Sequence, residues 1–144
     1  MRWLMSITVV VMAACLGASQ TTTGKSDLDA LQGVWKLASG EMGGIAMPPE
    51  ITKDVQLTIK GSVSNYKEQG TEHAGSFKLD EAKKPKHIDI TDQKTGMVMI
   101  GIYELKGDEF KVCLDGDGKT RPTEFKSKED NPSVGIMVFK REKK

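Results

Sequence analysis

The sequence predicts an all-β protein, a small antiparallel up-and-down barrel of about eight to nine strands preceded by one short helical turn. Three observations carry that expectation. From Val34 onward apolar residues alternate with polar ones, the period of two expected of strands buried on one face rather than the period of about 3.6 of a helix. Turn-forming groups such as Gly61-Ser62, Gln69-Gly70-Thr71 and Lys106-Gly107-Asp108 recur at intervals suited to a meander of short strands. An open meander leaves two unpaired edges, and curling the sheet into a barrel removes them.

Taken in order, Asp27 can cap a helical turn through Leu28-Asp29-Ala30-Leu31, which Gly33 ends. Trp35 and Leu37 share one face of the first strand before Gly40 to Gly44 loosens the chain, and a second helical turn fits Glu50 to Asp54. Strands are then expected at Val55–Lys60, Val63–Glu68, His73–Leu79 and His87–Thr91, with the charged loop Asp80 to Lys86 before the last of these. Met97 to Tyr103 is apolar at both parities, which implies a strand covered on both faces or running beneath a loop, and Gly101 within it fits a bend or bulge. Further strands fit Glu109–Leu114, Thr123–Lys126 and Val134–Arg141, with Asp115-Gly116-Asp117-Gly118 read as a turn.

Ahead of this domain, Met1 to Cys15 places one positive charge before an apolar run and then small residues, the order of a secretory signal. The run is shorter than the roughly 20 apolar residues a spanning helix needs. Residues 1–19 are therefore read as a signal peptide, 20–26 as a polar linker and 27–144 as the barrel domain. Two cuts fit. Met12-Ala13-Ala14-Cys15 resembles a lipobox, which would make Cys15 a lipidated first residue, while Gly17-Ala18-Ser19 suits an ordinary signal peptidase. Both send the protein out of the cytoplasm, to the periplasm or cell envelope, and the first anchors it there by lipid.

The chain holds 21 Lys and Arg against 20 Asp and Glu, so loss of Arg2 with the leader makes the mature charges balance. Interspersed charges without a basic face do not fit a nucleic-acid binder, and the basic end from Lys140 to Lys144 reads as a solvated tail. Under either cut Cys113 is the one cysteine left free as a thiol, and its place in an alternating run makes it a small buried hydrophobe.

No set of acid, base and nucleophile can be assembled from these residues, so no catalytic residue, metal or cofactor is assigned. His73 and His87 fall on separate strands, and neither their spacing nor nearby Asp89 asks for a metal. Asp115 and Asp117 lack the further oxygen ligands a calcium loop needs. The candidate binding spot is Arg121 with Glu124 in Arg121-Pro122-Thr123-Glu124-Phe125, where an arginine can hold a carboxylate or sulfate bidentately. Its plainer reading is an arginine tied to an acid at the barrel rim.

Leu31-Gln32-Gly33-Val34-Trp35-Lys36, Gly75-Ser76-Phe77-Lys78-Leu79-Asp80 and Lys84-Pro85-Lys86-His87-Ile88-Asp89 occur in that order, followed by Gly101-Ile102-Tyr103-Glu104-Leu105, Val112-Cys113-Leu114 and the Arg121 to Phe125 motif. Together they resemble the lipocalin-like domain family of uncharacterised function abundant in planctomycete bacteria, over nearly the whole mature chain. The resemblance implies a small exported calycin-like barrel and no particular activity. It also implies that Gly33 and Trp35 open the first strand and that Arg141, on the last, packs against the indole as a structural signature.

Two functions suit such a barrel. It either keeps one small, partly apolar ligand inside, with Met97, Met99 and Met137 as adaptable lining, or it is filled by its own side chains and meets an envelope protein through its rim loops.

Overall fold

A computed structural model describes residues 26–143. The expected leader, Cys15 within it, and the linker up to residue 25 lie outside the described residues. The elements are α1 (Asp27–Leu31), β1 (Gly33–Met42), β2 (Ile45–Ala46), α2 (Pro49–Thr52), β3 (Gln56–Lys60), β4 (Val63–Glu68), β5 (Thr71–Asp80), β6 (Lys86–Asp92), β7 (Val98–Lys106), β8 (Glu109–Asp115) and β9 (Val134–Arg141).

All pairings are antiparallel, and the strands follow one another around a single sheet that β1 and β9 close. The result is the expected up-and-down barrel, with eight strands in the wall and β2 as a short extra strand on the end of β1. Because side chains alternate across a strand, one parity points inward: Trp35 and Leu37 from β1, Leu57 and Ile59 from β3, Phe77 from β5, Ile88 from β6, Tyr103 from β7, Phe110 and Val112 from β8, Phe139 from β9. These join in one core.

One end of the barrel is a floor. Leu31 of α1 is fully buried under it, and the Trp35 indole N–H donates to the Leu31 carbonyl at 2.8 Å. Trp35 is itself fully buried, which removes roughly 200 Å² from water and contributes about 5 kcal/mol of gross hydrophobic stabilisation. The Arg141 guanidinium lies 4.3 Å from the centre of the indole ring. From there it donates to the carbonyls of Gln32, at 2.8 Å, and of Ala30. Asp27 accepts from Lys86 Nζ at 2.6 Å and from the Tyr103 hydroxyl at 2.7 Å. Burial raises its carboxyl pKa, but those two bonds outweigh it and hold the group below the usual carboxylate value. Helix α1 is thus bolted to four strands although it is far too short to be stable alone.

The two-sided apolar pattern of β7 has the expected cause. Tyr103 faces the core, while Ile102 faces out into a second cluster with Cys113 and Val134, roofed by Phe125 from the connection between β8 and β9. That connection holds no strand at Thr123–Lys126, contrary to expectation. The alternation there reflects one anchor, Phe125, beneath which Lys111 Nζ sits 4.9 Å from the ring centre.

Other departures are local. Ser26, not Asp27, caps α1, its hydroxyl accepting from the Asp29 N–H at 3.3 Å. Strand β1 runs through Gly40 to Met42, and the bulge lies at Ala38, between Leu37 and Ser39. Gly101 keeps regular register with both neighbours, so it marks no bulge. A Cβ there would stand 2.1 Å from the Cys113 carbonyl oxygen, and close approach of two strands explains the glycine. Asp115 starts a long connection rather than a hairpin. Its buried carboxylate gathers the N–H groups of Asp117, Lys119 and Thr120 and the Ser133 hydroxyl.

Candidate functional site

Above the floor the barrel is not filled. A cavity of about 360 Å³ remains, reaching from Leu31, Phe110 and Phe139 to the opposite, open end. Its walls are apolar along most of their length. Small side chains make the room: the wall position between Ser64 on β4 and Asp92 on β6 is Gly75. A Cβ there would come within 3.0 Å of the Thr91 carbonyl oxygen.

The polar lining is confined to one side, formed by β4, β5 and β6: Ser64, Tyr66, Glu68, His73 and Asp92. Glu68 ends β4, His73 lies near the start of β5, and Asp92 ends β6, so these three stand at the mouth. Tyr66 and His73 are cross-strand partners with ring centres 6.5 Å apart. Glu68 lies two residues beyond Tyr66, and Asp92 pairs with Gly75, two residues beyond His73. Diagonal neighbours on one face of a sheet stand about 7–8 Å apart, so His73 has a carboxylate on either side of it.

Burial, helped by the charge of Glu68, pushes the Tyr66 hydroxyl up to about 12. The Asp92 carboxyl goes the other way. It accepts from the N–H groups of Thr95 and Lys94 at 2.9 and 2.7 Å, which holds it below the usual range. Neither Glu68 nor Asp92 takes part in an ion pair among the described residues. No lysine or arginine lines the cavity.

The residues singled out from sequence lie elsewhere. Arg121 is fixed on the outer wall, donating to Asp89 at 2.7 Å and to the carbonyls of Gly101 and Ile88 at 2.8 and 3.3 Å. Glu124 does not join it; its exposed side chain faces Lys126 at 3.6 Å. The fold separates the histidines, placing His73 beside Tyr66 and His87 beside Asp80 at the other end of β5. Cys113 is buried, and burial pushes its thiol pKa up despite a weak contact with the Lys126 carbonyl. Of the three methionines, Met99 and Met137 line the cavity, while Met97 is exposed and does not.

Sequence reasoning passed over Tyr66, Glu68 and Asp92. One signal for the first two was present: Val63-Ser64-Asn65-Tyr66-Lys67-Glu68 has no continuous apolar face, as befits a strand whose inner side meets a cavity mouth rather than packed side chains.

Comparison of the chain with protein-family models, with curated proteins and with solved structures finds no match to any of them.

Proposed function

We propose that this is an exported or envelope-anchored binding protein that holds one small, largely apolar molecule inside its barrel. The observation that carries this reading is the cavity, apolar-walled, floored at one end and open at the other. Its 360 Å³ falls within the roughly 300–1,000 Å³ range of small-ligand sites. At about 30 Å³ per water-sized group, it takes about a dozen such groups. The cavity favours this reading over a barrel sealed by its own side chains.

Native mass spectrometry tests the reading. Protein drawn gently from its own cell envelope is compared with the same chain after unfolding and refolding. An added small-molecule mass on the first sample alone is expected; bare protein in both, from folded samples, overturns it. The anchor is tested separately. Cys15→Ser should release the protein from membranes, and a wild-type protein already free of membrane would refute lipidation.

A further inference from the structure

The head group of the ligand can be read from the mouth, on the premise that the cavity is the binding site proposed above. We infer that this site takes an apolar chain ending in a cationic amine rather than in a carboxylate.

Three features lead there. The deep part of the cavity is lined by Leu57, Ile59, Phe77, Phe110 and Phe139, which fixes the tail as hydrocarbon and leaves no buried partner for a polar group at its inner end. The charged lining residues are two carboxylates, Glu68 and Asp92, both at the mouth. Neither is neutralised by an ion pair among the described residues. A carboxylate head entering tail first would stop beside a like charge, Glu68 on one side of His73 or Asp92 on the other, with no arginine or lysine in the lining to receive it. An ammonium head stops in the same place with a carboxylate acceptor on either side of His73, on β4 or on β6. The Tyr66 hydroxyl, cross-strand from His73, adds an oxygen that can accept from a donor group.

Tail length follows from depth. A cavity that takes about a dozen water-sized groups suits a straight chain of about ten carbons plus its head. The mouth is open, so the ammonium keeps part of its hydration while the tail is dry.

The probes are an alkyl amine, the alcohol and the carboxylate of that same chain length, each kept below its micelle concentration. They are titrated calorimetrically into the mature chain at neutral pH. Tightest binding is expected for the amine, at least tenfold over the carboxylate, with the alcohol between. Added salt should narrow that gap, and the alcohol should displace the amine, which shows that both occupy the cavity. Glu68→Gln combined with Asp92→Asn should bring the amine to within about threefold of the alcohol while leaving alcohol binding in place. Asparagine still accepts the two N–H groups that Asp92 receives. Equal binding of all three probes, or preference for the carboxylate, overturns the head-group inference and leaves the cavity reading standing. Failure of all three to bind overturns both.

Discussion

Replacing Arg141 by methionine keeps the stem of the side chain and removes the guanidinium from the floor of the barrel. The loss can be worked out contact by contact. The guanidinium over the Trp35 ring, 4.3 Å from its centre, contributes about 1 kcal/mol. Its bonds to the Gln32 and Ala30 carbonyls would each contribute roughly 1.5–3 kcal/mol if fully enclosed. Arg141 is 27% exposed, so water can replace part of each, and about 1 kcal/mol apiece is the fair figure. The contact with Asp108 is exposed and adds almost nothing. The total is about 3 kcal/mol, or a fall of roughly 10 °C in melting temperature for a domain of this size. Trp3 belongs to the expected leader, which leaves Trp35 as the single tryptophan of the mature chain, so its fluorescence during urea unfolding reports on the floor itself. Lysine at 141 should fall between, because an ammonium cannot span the ring and both carbonyls. A loss below about 1 kcal/mol for Arg141→Met would show that water serves these carbonyls as well as arginine does, and the account of the floor would fail.

Gly101→Ala should cost about 3 kcal/mol or prevent folding, since the new methyl would meet the Cys113 carbonyl at 2.1 Å; a urea midpoint like that of the wild type would refute the close-approach argument. Asp27, whose folded pKa is lowered, contributes stability that is complete above its unfolded pKa of about 3.9 and lost as pH falls through the lower folded value. Asp27→Asn should therefore start less stable at neutral pH and lose less on acidification, and parallel curves for the two proteins would contradict the bonding seen to Lys86 and Tyr103. Tyr66 should stay protonated well above the usual value of about 10, up to about 12. Its share of stability is whole below the unfolded pKa and declines as pH climbs toward the folded one, so Tyr66→Phe should flatten the alkaline loss. A tyrosinate absorbance step from Tyr66 near pH 10 in the folded protein would contradict its burial.

Most of the barrel was legible because each strand needs only its own alternation and its own turn. Strand β9 runs from Val134 to Arg141 as expected, and β4 from Val63 to Glu68. The misread segments are those where distant groups decide. Thr123 to Lys126 alternates like a strand, yet its chain is held on the outer wall by Phe125 over Ile102 and Cys113, with Arg121 gripping Asp89 just before it. Gly40 looked like a break, but its inward position faces Met47, where a strand can continue without a side chain. The cavity mouth was the least legible part. Tyr66, Glu68, His73 and Asp92 come from three strands, and nothing local in any one of them announces that the other two stand beside it. Arg121 drew notice because a proline-flanked arginine in a loop resembles an anion site; only the fold reveals that two backbone carbonyls and Asp89 already occupy its donors.

The seam between β1 and β9 sets the order of events in time. Gln32 and Arg141, bonded across it, are 109 residues apart in the chain. The other neighbouring pairs of long strands, except β1 with β3 and β8 with β9, are joined by short connections, so those hairpins can form as the chain emerges, whereas the seam must wait for the last strand. Loop closure over such a separation is slow, and until it happens the inner faces of Trp35 and Phe139 stand open to water. On the proposed export, a chain threaded across its membrane unfolded would cross without a closed barrel. The cavity would then come into being only on the far side.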